Sequence, residues 1–152
     1  MHELLRVVVG GLQRAMHPLA HRRKNATRLS FDNEYDIQDL LHALLRPWIR
    51  DIRPEEFTPS HAGHSTRMDL LLFDHHLVLE TKLVRDRAHA KKLGDELIID
   101  IAHYRAHPTC KLLWCVVYDP NHYLTNAAGL IRDLEGAHAA GAETVQVSVF
   151  VL

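Results

Sequence analysis

Leu4, Leu5, Val8 and Leu12 recur at intervals of three and four, which predicts a helix over residues 2–17. The same spacing returns in Ile37, Leu40, Leu41, Leu44 and Leu45, a second helix that Asp32 or Asn33 can cap and that Pro47 ends or kinks. Between them, His21-Arg22-Arg23-Lys24 and Asn25 to Ser30 read as a basic loop. Pro54, Pro59 and Gly63 mark an irregular connection. Two apolar runs, about 68–74 and 77–84, then read as a β-hairpin. Leu93, Leu97, Ile101 and Tyr104 place a helix after it, closed by His107-Pro108. KLLWCVVY, 111–118, is almost continuously apolar, as in a strand buried on both faces. A helix near 127–138 and a strand over 144–151 complete the chain. Helices alternating with strands after an antiparallel pair predict an α/β fold around a central mixed sheet.

The composition adds limits to that picture. A chain of 152 residues suits one domain with a sizeable core, and 47% hydrophobic with 24% charged residues is ordinary for a soluble protein. No apolar run approaches the roughly 20 residues that span a bilayer. LLRVVVGGL is broken by Arg6 and two glycines, so it does not read as a signal peptide, and a cytoplasmic setting is expected. The Asn25-Ala26-Thr27 sequon is then idle, and Cys110 and Cys115 are too few for a disulfide framework. A net charge of −1 does not advertise a nucleic-acid binder, although local patches matter more than the sum. The thirteen histidines are scattered and read as surface residues, while Trp48 and Trp114 read as core.

The hairpin carries chemistry that a core element does not need. A turn centred between His75 and His76 sets residue 71 opposite 80, and Asp69 opposite Lys82. Glu80 and Lys82 are two apart and share a face. Asp69, Glu80 and Lys82 then converge at the open end of the hairpin. Carboxylates held together resist ionisation unless a cation lies between them. Mg²⁺, with Mn²⁺ as an alternative, meets that need through one or two carboxylates plus water and phosphate. Lys82 can orient or help deprotonate an attacking water, or offset charge developing on a phosphate. The pattern fits metal-assisted phosphodiester hydrolysis. The bland alternative is an exposed ion pair at a hairpin end, which contributes little.

Asp69, a gap of ten residues, and Glu80-Thr81-Lys82 resemble the PD-(D/E)XK nuclease signature, with Met68 where proline is usual. YDIQDLLHALLR, DIRPEEFTPSHAGHSTRMD, GDELIIDIAHYRAHP and LLWCVVYDP together resemble the DpnII/MboI-type restriction-endonuclease-like domain over Phe31 to Leu152. The resemblance implies a restriction-endonuclease-like core of αβββαβ type over 31–152, preceded by an N-terminal helix and basic loop over 1–30, in one compact unit. It implies Asp69, Glu80 and the Thr81 carbonyl as metal ligands and Lys82 as the catalytic lysine. An acidic residue on the first core helix joins the site in such proteins, and Glu34 is the first candidate, Asp36 the second. The helix after the motif brings a glutamine and a tyrosine there; here Glu96 stands where the glutamine is expected, and Tyr104 remains. The activity implied is a metal-dependent endonuclease acting on DNA in bacterial defence.

Arg67, Arg85, Arg87, His89, Lys91 and Lys92, with Tyr104, are the expected contacts to nucleic acid, set against a plain solvated helix start. Arg22, Arg23, Lys24 and Arg28 lean toward the solvated reading. His103, His107 and Cys110 have zinc-like spacing, but without a CxxC they do not read as a zinc site. His61 and His64 read as loop-shaping residues. Cutting both strands needs two sites, which suggests a homodimer, with VQVSVFVL available for pairing. The chain looks too compact for a large recognition insert, which points to low specificity or a targeting or activating protein partner. Other readings are an inactive nucleic-acid-binding or structural module of the same fold, a repair nuclease, and an RNA-directed nuclease. Aromatic residues at 7%, without a stacking cluster, weigh against RNA.

Overall fold

The computed structural model of the chain describes residues 1–57 and 66–152, so His61 and His64 lie outside the described residues. The first predicted helix is two: α1 (His2–Gly10) and α2 (Leu12–Ala20). The break falls at Gly11, where a Cβ would come 2.9 Å from the Val7 carbonyl oxygen, a contact only glycine avoids. α3 (Glu34–Leu45) follows, and Arg46 and Pro47 lie beyond its end. Its cap is reciprocal: Asn33 Oδ1 accepts from the Asp36 amide at 3.0 Å, and Asp36 Oδ2 accepts from the Asn33 amide at 3.1 Å.

The connection read as irregular holds a short strand, β1 (Ile52–Pro54). Proline is tolerated there because β1 is an edge strand, where a missing N–H leaves no gap in a ladder. β2 (Leu70–Leu72) and β3 (Leu77–Leu83) form the hairpin, and α4 (Arg87–Arg105) and β4 (Leu112–Tyr118) follow. The helix expected over 127–138 stops early: α5 (Ala127–Leu134) ends as Glu135 turns extended, and β5 (Gly136–Ala140) pairs with β6 (Glu143–Val151). Gly136, at φ 122°, makes the bend that a side chain would resist.

Among the described residues the strands form one six-stranded mixed sheet in the order β1-β2-β3-β4-β6-β5. β3, β4 and β6 run parallel, and the outer pairings are antiparallel. Strand alternation splits the core in two. Leu77, Leu79 and Leu83 join Trp114 and Val116 beneath α1, α2 and α3, while Val78 joins Leu113, Cys115 and Val117 beneath α4 and α5. Trp114 is core, as expected. Trp48 is not: it lies in the turn after α3 with 61% of its surface exposed, and Ile49 takes the inward position.

The hairpin register differs from the expected one. Four residues, Phe73 to His76, connect the strands as a 3₁₀ turn ending in left-handed His76 at φ 51°. Leu71 therefore pairs with Val78, and the same register carried one step outward sets Asp69 opposite Glu80, not Lys82. No helix among the described residues is long and apolar enough to cross a membrane.

Candidate active site

The four-residue connection decides which groups meet. Asp69 lies just before β2, and its Oδ2 accepts both the Thr81 amide and the Thr81 hydroxyl at 2.7 Å. Thr81 is the residue between Glu80 and Lys82, so these bonds fix Asp69 against the middle of β3. Glu80 and Lys82 both face α4. Lys82 Nζ lies 2.7 Å from Glu80 Oε1 and 2.9 Å from Asp100 Oδ2, the second an ion pair that is not aimed as a hydrogen bond. Tyr104 donates its hydroxyl to Glu80 Oε2 and lies 3.3 Å from the Arg67 carbonyl oxygen. Glu34, the first residue of α3, accepts the Leu83 amide at 3.3 Å.

Burial sets the electrostatics of this cluster. Glu80 is only 4% exposed. Burial, and then the charge of Asp69, push its pKa up to about 8, against the opposing pull of Lys82. Burial also raises Asp69, partly offset by the two Thr81 bonds and by Lys82, with Glu34 adding to the rise. For Lys82 burial works toward the neutral amine, but Glu80 and Asp100 outweigh it and hold the pKa above the usual lysine value. Burial and the neighbouring Glu80 raise the Tyr104 phenol, so it stays a donor.

The structure brings Asp69, Glu80, Lys82 and Glu34 near one another and turns some of the other candidate residues elsewhere. Tyr104, expected to touch nucleic acid, is fully buried and serves Glu80 instead. His89 is also buried; its Nδ1 accepts the Arg85 amide at 3.3 Å and its Nε2 lies 3.2 Å from Glu96. Glu96 is thereby turned to His89, and Asp36 is committed to the α3 cap. The α4 carboxylate that reaches the site is Asp100, which the sequence reading missed. Its signal was a spacing of four from Tyr104, which puts both on one helix face beside Leu97 and Ile101. Arg85, Arg87, Lys91 and Lys92 are exposed on the loop after β3 and the first turns of α4. Arg67 is exposed too, with Nη2 donating to the Tyr35 hydroxyl at 2.6 Å and Nη1 lying 3.1 Å from Glu55.

The donor chemistry fits a hard divalent cation. Asp69 and Glu80 are carboxylates whose pKa values are both raised by burial, and Asp69 raises Glu80 further, a burden that positive charge relieves. No group of three His, Cys, Asp or Glu side chains among the described residues is placed to hold an ion, and Mg²⁺ commonly takes one or two carboxylates, with water and phosphate completing the shell.

This arrangement can be set against known proteins. A model of the DpnII-MboI restriction endonucleases matches residues 3–151. The chain belongs to the DpnII-MboI family. As a DpnII-MboI protein it is a nuclease of the restriction type, on an α/β fold consistent with the restriction-endonuclease-like core. The DpnII-MboI match begins in α1, ahead of the Phe31 start of the sequence resemblance. No curated protein and no solved structure matches the chain.

Proposed function

We propose that this DpnII-MboI protein is a divalent-metal-dependent endonuclease that hydrolyses phosphodiester bonds of DNA, with Mg²⁺ as the expected ion and Mn²⁺ as an alternative, in a bacterial defence system. The observation that carries the reading is the placement of Asp69, Glu80 and Lys82 about Thr81, with Lys82 held as a cation. Asp69 and Glu80 would hold the ion, with the Thr81 carbonyl and Glu34 in support. The ion, when bound, supplies Lewis acidity toward the phosphate and makes water more acidic.

The chain's own residues divide the remaining work. Lys82 presents an ammonium that can orient the attacking water and offset charge gathering on the phosphoryl oxygens. As long as Glu80 and Asp100 hold it protonated, Lys82 acts by charge and position and takes no proton. Asp100 keeps that ammonium in place. Tyr104 holds Glu80 from behind with a hydroxyl that does not ionise. Arg67, Arg85, Arg87, Lys91 and Lys92 would meet the phosphate backbone outside the cluster. Cutting both strands calls for two such sites, hence a homodimer, and a single-chain mass by light scattering in the presence of DNA would refute that part.

The test is cleavage of supercoiled and linear DNA, single-stranded DNA and RNA with Mg²⁺, Mn²⁺ or EDTA. Metal-dependent cutting of DNA that Lys82→Ala and Asp69→Ala both lose is the expected result. DNA binding with no cutting under any metal would leave an inactive binding module, and preferential cutting of RNA would overturn the substrate.

A further inference from the structure

The sheet has two edges, and they are built differently. β1 is three residues long, ends in Pro54, and has Arg53 at its centre, 2.8 Å from Asp51. Short length, proline and charge are the devices that keep an edge strand from pairing with another chain. β5 carries neither of the last two: Gly-Ala-His-Ala-Ala has no charged residue and no proline. VQVSVFVL, the stretch that the sequence offered for pairing, lies inside the sheet between β4 and β5.

The bonding of β6 tells which backbone groups β5 leaves open. Even-numbered residues bond toward β4: the Gln146 amide donates to the Lys111 carbonyl oxygen at 2.9 Å, and the Leu152 amide, in the same alternation just past the strand, to the Val117 carbonyl oxygen at 2.8 Å. Odd-numbered residues then bond toward β5, where His138 pairs with Val145 and Ala140 with Glu143. Gly136, His138 and Ala140 are thereby committed to β6. Ala137 and Ala139 turn their N–H and C=O groups to the free edge, and no loop backbone bonds to them among the described residues. Both alanines are exposed. On the other face the His138 ring turns back to its own chain, with Nε2 2.8 Å from the Leu134 carbonyl oxygen.

We propose that β5 pairs with β5 of a second copy of this chain, antiparallel about a twofold axis at His138. In that register Ala137 meets the partner's Ala139, and Ala139 meets the partner's Ala137, which gives four main-chain hydrogen bonds between groups that both copies leave open. Methyl side chains leave room at these positions, and an uncharged strand meets its copy without like-charge repulsion. A foreign extended peptide is the poorer occupant. Strand addition draws its specificity from pockets for alternate side chains, and here the outward face offers only Ala137, Ala139 and their cross-strand neighbours Gln146 and Thr144. The homodimer of the nuclease reading thus gains a surface on grounds independent of that reading, at the end of the sheet away from Asp69 and Glu80.

The experiment is sedimentation of the full chain over a range of concentrations, with cross-linking at position 138. So small an interface should give a dimer that dissociates on dilution. Ala139→Pro removes an outward N–H and leaves the β6 ladder whole, the kind of place where an edge strand tolerates proline. It should raise the dissociation constant at least tenfold, while Ala139→Thr, which keeps the N–H, should not. His138→Cys sets two thiols across the axis in a non-hydrogen-bonded pair, about 4.5 Å apart at Cα and within disulfide reach. Mild oxidation should link it into a covalent dimer, whereas Ala137→Cys, which lies diagonally from its own copy, should link far less. The native thiols of Cys110 and Cys115 are buried and leave that readout clear. Should Ala139→Pro fail to fold, the two cysteine variants still decide. A wild-type chain that stays monomeric at every concentration overturns the proposal. So does a dimer that folded Ala139→Pro does not weaken, or a His138→Cys chain that links no better than Ala137→Cys. Cleavage measured in parallel separates the two readings: cutting by a chain that never pairs through β5 sinks only this proposal, and a β5-linked dimer that cuts nothing sinks only the nuclease reading.

Discussion

Leu79 and Glu80 are neighbours on β3, equally deep in the protein, and they point to opposite faces of the sheet. Leu79 meets the apolar cluster under α1 to α3. Glu80 meets Lys82 and Tyr104 under α4, and Lys82 in turn meets Asp100. Burial favours the first and opposes the second, because an ionised carboxylate loses its hydration without full repayment from its partners. The raised pKa of Glu80 is the sign of that unrepaid cost. One face of the strand is thus shaped by stability, and the other gathers ionisable groups at a loss of stability, as the proposed site requires.

The comparison is broken most forcefully by exchanging one residue on each face. Glu80→Gln keeps the shape and leaves Lys82 with Asp100. Cleavage should fall by at least ~1,000-fold, about 4 kcal/mol of barrier, while the melting temperature stays within a few degrees of wild type. Leu79→Ala should do the reverse: a loss of about 2–5 kcal/mol in denaturant unfolding, with cleavage per folded molecule retained. If both variants lose stability equally and both lose cleavage, the two faces are not separable as described.

Asp100→Asn gives a smaller effect that tests how Lys82 is held. Removing the charge of one of its two acidic neighbours lowers the lysine pKa toward its ordinary value. Cleavage at neutral pH should drop about tenfold, and the alkaline fall in activity should move to lower pH. Asp100→Glu should restore part of both. A slower variant whose pH profile superimposes on wild type would make Asp100 a packing residue only.

Asp100 also shows where reading the sequence succeeds and where it stops. Asp69, Glu80 and Lys82 were legible because strand periodicity puts 80 and 82 on one face whatever the turn does. The partner of Asp69 was not, since four connecting residues in place of a two-residue turn shift every pair by two. β5 was hidden because Gly-Ala-His-Ala-Ala carries no strand-forming side chains and gains its pairing from β6. Trp48 was misplaced because a large apolar residue is not thereby an inward one. Tyr104 was legible as part of the α4 apolar stripe, and its burial follows from that stripe more directly than any role at the surface does.

The charged face should also make stability depend on pH. Glu80 has its folded pKa raised from 4.5 to about 8. The folded state therefore keeps a proton that the unfolded state releases, so its contribution is complete below about 4.5 and is lost as pH rises through about 8. In EDTA, the denaturation midpoint should fall across that window, and Glu80→Gln should flatten the fall. Lowered His107 works in the opposite sense, so the wild-type slope minus the variant slope is the quantity to read. Adding Mg²⁺ at pH 8 should recover stability if the ion binds the folded site. An identical slope in wild type and Glu80→Gln would mean that Glu80 does not carry the effect.

The smallest expected effect joins the two faces. Asn33 caps α3, and the next residue, Glu34, reaches the Leu83 amide at the end of β3. Asn33→Ala removes the acceptor for the Asp36 amide and should cost about 1 kcal/mol. The charge of Glu34 raises the pKa of Asp69, so the start of α3 is electrically coupled to the cluster although its helix packs on the apolar side. If Glu34 supports the metal site, a frayed first turn should raise the Mg²⁺ concentration needed for half-maximal cleavage by a few-fold, with little change in the saturated rate. Glu34→Gln, which leaves the cap intact, should shift that requirement the same way without the loss of stability. A shift in Asn33→Ala alone would place the effect in the fold of α3 and remove Glu34 from the site.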